Sequence, residues 1–262
     1  ETSGGELPIV ANGRRSKNCV VIGESTDEAT DDGYVIDCSR GTLAIKTAGG
    51  KGAIYGVAAL LEKQLGVDYL AKDFYTLTPS ADVRIPQMHE AESPAFRFRQ
   101  TFSYSNNDST YRDWMRLQEH REMFAADMWV HTFDRLLPSS VYGKSHPEYY
   151  SFINGERRPG NHSQWCLTNP DIFEIVAHRI DSIFKANPDQ NMISVSQNDG
   201  NDTYCQCPEC RKVNEYEGSP AGCYVRFLNR LAERFPDKQF STLAYLFTMH
   251  PPKHVNPLPN VN

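Results

Sequence analysis

From residue 95 onward, short apolar stretches alternate with longer stretches of helical periodicity. The clearest helical stretch begins at Thr168-Asn169-Pro170, where a capping residue precedes a first-turn proline, and continues with apolar residues three and four positions apart. Strands that alternate with helices are joined by crossovers, which connect parallel neighbours rather than antiparallel ones. The alternation therefore predicts an α/β fold with a parallel sheet.

This part of the chain contains five predicted strands. They are expected at Phe96–Phe102, Asp127–Phe133, Gln164–Leu167, Asn191–Val195 and Phe240–Phe247. A closed (β/α)8 TIM barrel needs eight strand–helix units, and an open parallel sheet of five strands exposes an apolar edge. We therefore expect the first part of a TIM barrel within a longer protein, cut just before a sixth strand near residues 257–262. The alternative is a complete doubly wound domain with five strands.

The residues before this alternation have a different pattern. Strands are predicted at Cys19–Gly23, Tyr34–Asp37, Thr42–Lys46 and Asp82–Ile85, the middle two as a hairpin. Apolar residues repeat at helical spacing from Ile54 to Leu65, and Gly66 suits the position after a helix end. This pattern predicts a small α/β accessory domain.

The polar stretch Pro86–Pro94 is bounded by prolines and predicts a domain boundary near residue 91. The predicted domains are thus the accessory domain at residues 1–91 and the barrel part at residues 92–262. The sequence contains no recognisable signal peptide, and this absence says nothing about export.

Composition and missing motifs exclude several classes of protein. The formal net charge is −6 and no basic block is present, which argues against nucleic acid as a partner. No apolar run approaches the roughly 20 residues of a membrane-spanning helix. Glycine-rich phosphate loops and the H-E-x-x-H zinc motif are also absent. Nucleotide-binding enzymes and zinc proteases are therefore not expected.

Several stretches resemble carbohydrate-active enzymes. Lys51–Leu61 and Glu92–Arg99 resemble the accessory-domain helix and the start of the first barrel strand in β-hexosaminidases and α-glucuronidases. Four others resemble the DUF4838 family of bacterial proteins, many from gut polysaccharide degraders: His146–Tyr150, Cys166–Pro170, Ser196–Asp199 and Cys205–Cys210. The resemblance implies a glycoside-hydrolase-like protein, without a required cofactor, that acts on a polysaccharide or oligosaccharide. It also implies a periplasmic, cell-surface or secreted location.

The resemblance points to Asp199 as the catalytic residue. It aligns Asn198-Asp199, after the predicted fourth barrel strand, with the Asp-Glu pair whose glutamate is the general acid of β-hexosaminidases. A sugar leaving group needs a proton, and a carboxyl group can supply it. The structural alternative is that Asp199 caps a turn in a polar Asn-Asp-Gly loop.

The resemblance also implies substrate-binding residues at the ends of neighbouring strands: Trp129, His131 and Asp134 after the second, Gln197 and Asn198 beside Asp199, and Tyr245 in the fifth. Structural roles are the alternative for Trp129, His131 and Tyr245. Ser103–Asp108 lacks the arginine with which hexosaminidases hold a sugar hydroxyl. A non-hydrolytic carbohydrate-binding or degenerate barrel is therefore the alternative function.

Three of the seven cysteines form a C-x-C-x-x-C motif, Cys205, Cys207 and Cys210. Such spacing suits zinc, with Cys223 or a nearby histidine as the fourth ligand. In an exported protein, a disulfide that braces this loop is the slightly favoured alternative. Either arrangement is expected to shape the cleft rather than to react in it.

Overall fold

The computed structural model describes residues 8–9, 18–160, 163–200 and 203–262. It divides into two compact units, which we call unit 1 (Glu1–Gln118) and unit 2 (Glu119–Asn262). Both units combine helices with strands, as the α/β class predicts. Among the helices of these residues, none combines the length and the apolar character needed to cross a bilayer.

Unit 1 is built on a four-stranded sheet of order β1-β3-β2-β6, in which β1 runs parallel to β3 and the other neighbours are antiparallel. A hairpin of β4 and β5 lies outside this sheet. The elements are β1 (Cys19–Ser25), β2 (Tyr34–Ser39), β3 (Thr42–Thr47), α1 (Gly52–Leu65), β4 (Val67–Ala71), β5 (Phe74–Leu77), β6 (Met88–Glu92), a 3-10 turn (Tyr104–Asn107) and α2 (Ser109–Trp114).

Local backbone chemistry explains the predicted hairpin and helix, and the structure confirms both. Arg40 and Gly41 at the hairpin turn have φ angles of 49° and 78°, so two successive residues adopt the left-handed geometry that suits a tight turn between twisted strands. Gly66 ends α1 with a φ of 60° and donates its N–H to the carbonyl of Leu61. One face of α1 then packs on the sheet through Tyr55 and Ala59.

The region around the predicted boundary differs from expectation. Asp82–Ile85 forms no strand, and the strand lies slightly later, at β6, where it pairs with β2. Phe96–Phe102 forms no strand either, and Arg99 within it binds groups of unit 1. Arg99 donates to the carboxylate of Asp32 at 2.8 Å, and Gln118 donates to the same carboxylate at 2.9 Å. Unit 1 thus extends past residue 91.

Unit 2 contains the longest helices and the second core. Its elements are α3 (His120–Met123), a 3-10 turn (Ala125–Asp127), α4 (Phe133–Leu136), α5 (Ser139–Tyr142), a 3-10 turn (Pro147–Tyr149), β7 (Phe152–Ile153), β8 (Glu156–Arg157), α6 (Pro170–Ala186), β9 (Met192–Ser194), α7 (Pro208–Glu217), α8 (Ala221–Arg234), β10 (Gln239–Ser241) and a 3-10 turn (Leu246–Thr248). The predicted cap of α6 is confirmed, because the Asn169 side chain accepts from the N–H of Asp171 and Pro170 occupies the first turn.

The centre of unit 2 is a row of parallel chain segments. β9 pairs with β10 in parallel register. On one side Met192 forms a parallel bridge with Phe124, and on the other Phe240 forms a parallel bridge with Val261. The strand predicted at residues 191–195 is therefore confirmed, and the one predicted at residues 240–247 is reduced to β10.

Two other predicted strands of unit 2 are wrong. Asp127–Phe133 is not extended, because Asp127 and His131 have φ angles of 58° and 51°. The Gln164–Leu167 segment does not join the parallel row, because Trp165 forms an antiparallel bridge with Tyr150. β9 consequently lies next to the Phe124 segment, with no strand between them. The structure thus establishes a mixed α/β unit with a parallel centre.

Candidate functional site

Three sequence-predicted residues meet at one edge of the parallel row. His131 follows the Phe124 segment, Asp199 follows β9 and Tyr245 follows β10. The carboxyl ends of parallel strands lie at the same edge, where α/β proteins place their ligands. The Tyr245 hydroxyl donates to Asp199 Oδ1 at 2.9 Å, and the rings of Tyr245 and His131 are 6.0 Å apart. We call His131, Asp199 and Tyr245 the strand-end cluster.

Asp199 and Tyr245 are both accessible to a ligand. Asp199 is exposed, and 37% of Tyr245 is exposed. The hydrogen bond to Asp199 raises the pKa of Tyr245, since loss of the phenolic proton would place two negative charges side by side. The proton therefore stays on Tyr245, and Asp199 acts as the acceptor.

The position of His131 is fixed by the segment that follows β9. Its Nδ1 lies 2.8 Å from the carbonyl oxygen of Gln197. Because a carbonyl oxygen can only accept, Nδ1 must carry the proton, and in the neutral ring Nε2 keeps its lone pair. His131 thus presents an acceptor nitrogen while its other nitrogen anchors the ring.

Gln197 and Asn198, both predicted to bind substrate, are buried. Gln197 donates to the Thr248 hydroxyl at 2.7 Å, and its Oε1 has no hydrogen-bond partner among the residues described. Asn198 exchanges hydrogen bonds with Gln164: its N–H donates to Gln164 Oε1 at 3.0 Å, and its carbonyl accepts from Gln164 Nε2 at 2.7 Å. The Asn198 side chain donates to the Ser163 carbonyl at 2.7 Å. These bonds hold the backbone that carries Asp199, so both residues support the site from below.

Trp129 and Asp134 have other surroundings. The Trp129 ring stacks on His120 at a centroid distance of 4.6 Å. Asp134 lies in the first turn of α4, where its charge adds to the effect of burial in raising the pKa of Tyr150. The backbone between Trp129 and His131 is not an extended strand, so the two residues do not share the face of a strand.

A second cluster joins the segment before α6 to the start of α7. The sulfur atoms of Cys166, Cys205, Cys207 and Cys210 all lie within 4.8 Å of one another, and all four residues are buried. Cys166 is the ligand candidate that the sequence motif missed, and it takes the place expected for Cys223. Cys223 instead directs its thiol at the Cys210 carbonyl oxygen, 3.6 Å away. All seven cysteines of the chain are free thiols in this structure. We call the four residues the cysteine cluster.

Polar groups surround the cysteine cluster. The Phe152 N–H donates to Cys205 Sγ at 3.3 Å, and Thr168 Oγ1 lies 3.1 Å from Cys210 Sγ. Hydrogen bonds from Cys205 and Cys210 hold the pKa of the Cys166 thiol well below its usual range. The hydrogen bond with Cys166 raises the pKa of the Cys205 thiol in turn.

Comparison with known proteins finds a matching family model and similar solved structures. No curated protein matches the chain. A crystal structure of a beta-N-acetylhexosaminidase is similar with a TM-score of 0.42 and 12% sequence identity, over 87% of this chain and 62% of that one. The present chain therefore spans less than two thirds of that protein. The model of a domain of unknown function, DUF4838, matches residues 69–262, which is most of the sequence. As the sequence predicted, the chain belongs to the DUF4838 family.

Proposed function

We propose that unit 2 is part of a (β/α)8 barrel that acts on a polysaccharide or oligosaccharide at the strand-end cluster, with Asp199 as the general acid. The observation that carries the proposal is the meeting of His131, Asp199 and Tyr245 from three successive parallel segments. Catalytic groups of TIM-barrel enzymes come from the carboxyl ends of several different strands.

The three side chains match the chemistry of a sugar. The exposed ring of Tyr245 offers a surface on which the C–H face of a pyranose can stack. Nε2 of His131 is an acceptor for a sugar hydroxyl. Asp199 supplies the carboxyl group that protonates a glycosidic oxygen, once the bound sugar has excluded water from the site.

A second candidate function is saccharide binding without hydrolysis. It is favoured by the state of Asp199, which is exposed and accepts a hydrogen bond from Tyr245. A carboxylate held in this way presents an acceptor to ligand hydroxyls, which binding alone requires. The two functions therefore share one site and differ in whether Asp199 transfers a proton.

A panel of aryl glycosides assayed with wild type, Asp199→Asn and Asp237→Asn separates the two functions. Asp237 is the matched control, an exposed aspartate in the turn before β10. Asparagine keeps the acceptor oxygen for Tyr245 and cannot donate an acidic proton. We expect Asp199→Asn to lose about 10²- to 10⁴-fold in turnover, the usual contribution of a general acid, and Asp237→Asn to match wild type.

The other outcomes are equally informative. Unchanged turnover in Asp199→Asn would remove that residue from the chemistry. Saccharide binding by wild type in calorimetry, with no hydrolysis of any substrate, would establish the second candidate function. Neither binding nor hydrolysis across the panel would overturn the proposal of a saccharide site.

The predicted role in bacterial polysaccharide degradation and the predicted periplasmic, cell-surface or secreted location belong to the same proposal. Protease treatment of intact and lysed source cells, followed by detection of the protein with an antibody, tests the location. If the protein is still protected from the protease after the outer envelope has been opened, the predicted location is contradicted.

A further inference from the structure

We propose that Cys166, Cys205, Cys207 and Cys210 bind a single zinc ion as a closed tetrathiolate site. The inference does not depend on the saccharide proposal, because none of these residues belongs to the strand-end cluster. It also differs from the motif-based expectation, since the fourth ligand is Cys166 rather than Cys223 or a histidine.

The sulfur spacing fits a tetrahedron around one ion. Cys166 Sγ lies 3.6 Å from Cys207 Sγ and 3.9 Å from Cys210 Sγ. Four sulfurs at the usual Zn–S length of about 2.3 Å are separated by about 3.8 Å along each edge of the tetrahedron. Sulfurs in a disulfide are only about 2.05 Å apart. The observed separations thus agree with a shared ion better than with a pair of bonded sulfurs.

The ligands come from two parts of the chain. Cys205 and Cys207 lie in the loop before α7, Cys207 is the cap residue of that helix, and Cys210 lies in its first turn. Cys166 comes from the segment that precedes α6. A zinc ion would therefore join the start of α7 to that segment. Four buried protein ligands leave no open position, which is typical of structural rather than catalytic zinc.

The surroundings are suited to the charge of such a site. Zinc with four thiolates carries a net charge of about −2, which needs nearby donors. The Phe152 N–H and the Arg157 guanidinium both donate to Cys205 Sγ, at 3.3 Å and 3.8 Å. The Thr168 hydroxyl lies within hydrogen-bond distance of Cys210 Sγ. One cation and two neutral donors thus face the sulfurs.

The compact arrangement also selects among metals. Thiolates that hold an iron–sulfur cluster bind different iron atoms and are spread around the cluster, whereas these sulfurs all lie within 4.8 Å of one another. A single ion is therefore required, and four soft sulfur ligands in a tetrahedron suit zinc. Zinc binding would also keep four adjacent thiols from oxidation in an exported protein.

The decisive experiment is metal analysis of the wild-type chain, purified without a histidine tag and without added metal. We expect about one zinc per chain by mass spectrometry, and X-ray absorption at the zinc edge should show four sulfurs at about 2.3 Å. A protein without stoichiometric metal would overturn the inference. So would mass differences that reveal disulfides among the four cysteines, or a zinc shell that contains nitrogen.

Two variants test the choice of the fourth ligand. After dialysis against a mild chelator, the zinc content of Cys166→Ser should be at least tenfold lower than that of wild type. Cys223→Ser should retain its zinc. Cys223 is the matched control, a buried cysteine that lies beside the cluster without joining it. Equal retention of zinc by both variants would exclude Cys166 as a ligand. If Cys166→Ser does not fold, the absorption spectrum of the wild type still decides the ligand set.

Discussion

The segment between β9 and α7 has two contrasting ends. At its start, Asp199 is exposed and bonded to one partly exposed tyrosine. At its end, Cys205 and Cys207 are buried, as is Cys210 in the first turn of α7, and hydrogen-bond donors lie beside these sulfurs. Exposed polar groups contribute little to the free energy of unfolding. Buried polar groups stabilise the fold when they are hydrogen-bonded and destabilise it when they are not. The comparison suggests that the start of the segment is available for a ligand and the end holds the segment in place.

The largest effect should follow removal of zinc from the cysteine cluster. A ligand at a thousandfold excess over its Kd stabilises the folded state by about 4 kcal/mol, and structural zinc commonly binds more tightly than that. Scanning calorimetry with and without a strong chelator should therefore show a large fall in the Tm of unit 2, reversed by added zinc. An unchanged Tm would mean that the cysteines do not hold this end of the segment.

A smaller loss is expected at the far end of α7, where Glu217 is fully buried. Arg226 Nε donates to Glu217 Oε1 at 2.9 Å, and the backbone N–H of His254 donates to Oε2 at 2.8 Å. We expect Glu217→Gln to cost about 2 kcal/mol in urea unfolding, because the charge-assisted bonds are lost. Glu215→Gln, an exposed position on the same helix, should cost little. Equal stabilities of the two variants would contradict the packing described for α7.

The Glu217 contribution should also depend on pH in a defined direction. Burial raises the pKa of Glu217, but hydrogen bonds from Arg226 and the His254 backbone outweigh burial, so the pKa is lower than usual. A carboxyl with a depressed folded-state pKa stabilises the protein above its unfolded pKa of about 4.3 and loses this effect as the pH falls through the folded value. The stability difference between wild type and Glu217→Gln should therefore be constant near neutral pH and shrink in acid.

A still smaller change is expected at Thr168. Its hydroxyl lies 3.1 Å from Cys210 Sγ, and valine has almost the same shape without the donor. Thr168→Val should cost about 1 kcal/mol while zinc remains bound, and Thr168→Ser should be close to wild type. Chemical unfolding combined with metal analysis tests both expectations. A zinc-free Thr168→Val protein would show that the hydroxyl has a larger role than that of a supporting donor.

The smallest effect on stability is expected in the strand-end cluster. Tyr245→Phe removes only an exposed hydrogen bond and should change the free energy of unfolding by less than about 0.5 kcal/mol. Saccharide affinity should nevertheless fall by about 3- to 10-fold, the equivalent of one hydrogen bond, because Asp199 loses the group that orients it. If Tyr245→Phe were less stable than wild type but bound saccharide with unchanged affinity, the start of the segment would have a structural role instead of a binding role.

The sequence predicted the elements whose signals are local. The hairpin of β2 and β3, the end of α1 at Gly66 and the start of α6 at Asn169 each depend on neighbouring residues, and the structure confirms them. The candidate residues of the strand-end cluster came from the resemblance to β-hexosaminidases. For that reason His131, Asp199 and Tyr245 were candidates before their distances were known.

The errors concern pairing between distant residues. An extended stretch such as Gln164–Leu167 has strand-like composition, but only the position of Tyr150 decides that it leaves the parallel row. Phe96–Phe102 is also not a strand, and its Arg99 binds Asp32, a residue far away in the sequence. Cys166 was missed for the same reason, since a motif of closely spaced cysteines carries no information about a fourth ligand from another segment. Long-range contacts of this kind leave no periodic signal in the sequence.

The most direct test of the account is a crystal structure of Asp199→Asn with a bound oligosaccharide, chosen from the panel by affinity. The account predicts sugar density at the carboxyl ends of the parallel segments, in contact with Tyr245 and within hydrogen-bond distance of residue 199 and His131 Nε2. Clear density at another surface, with the strand-end cluster empty, would contradict it.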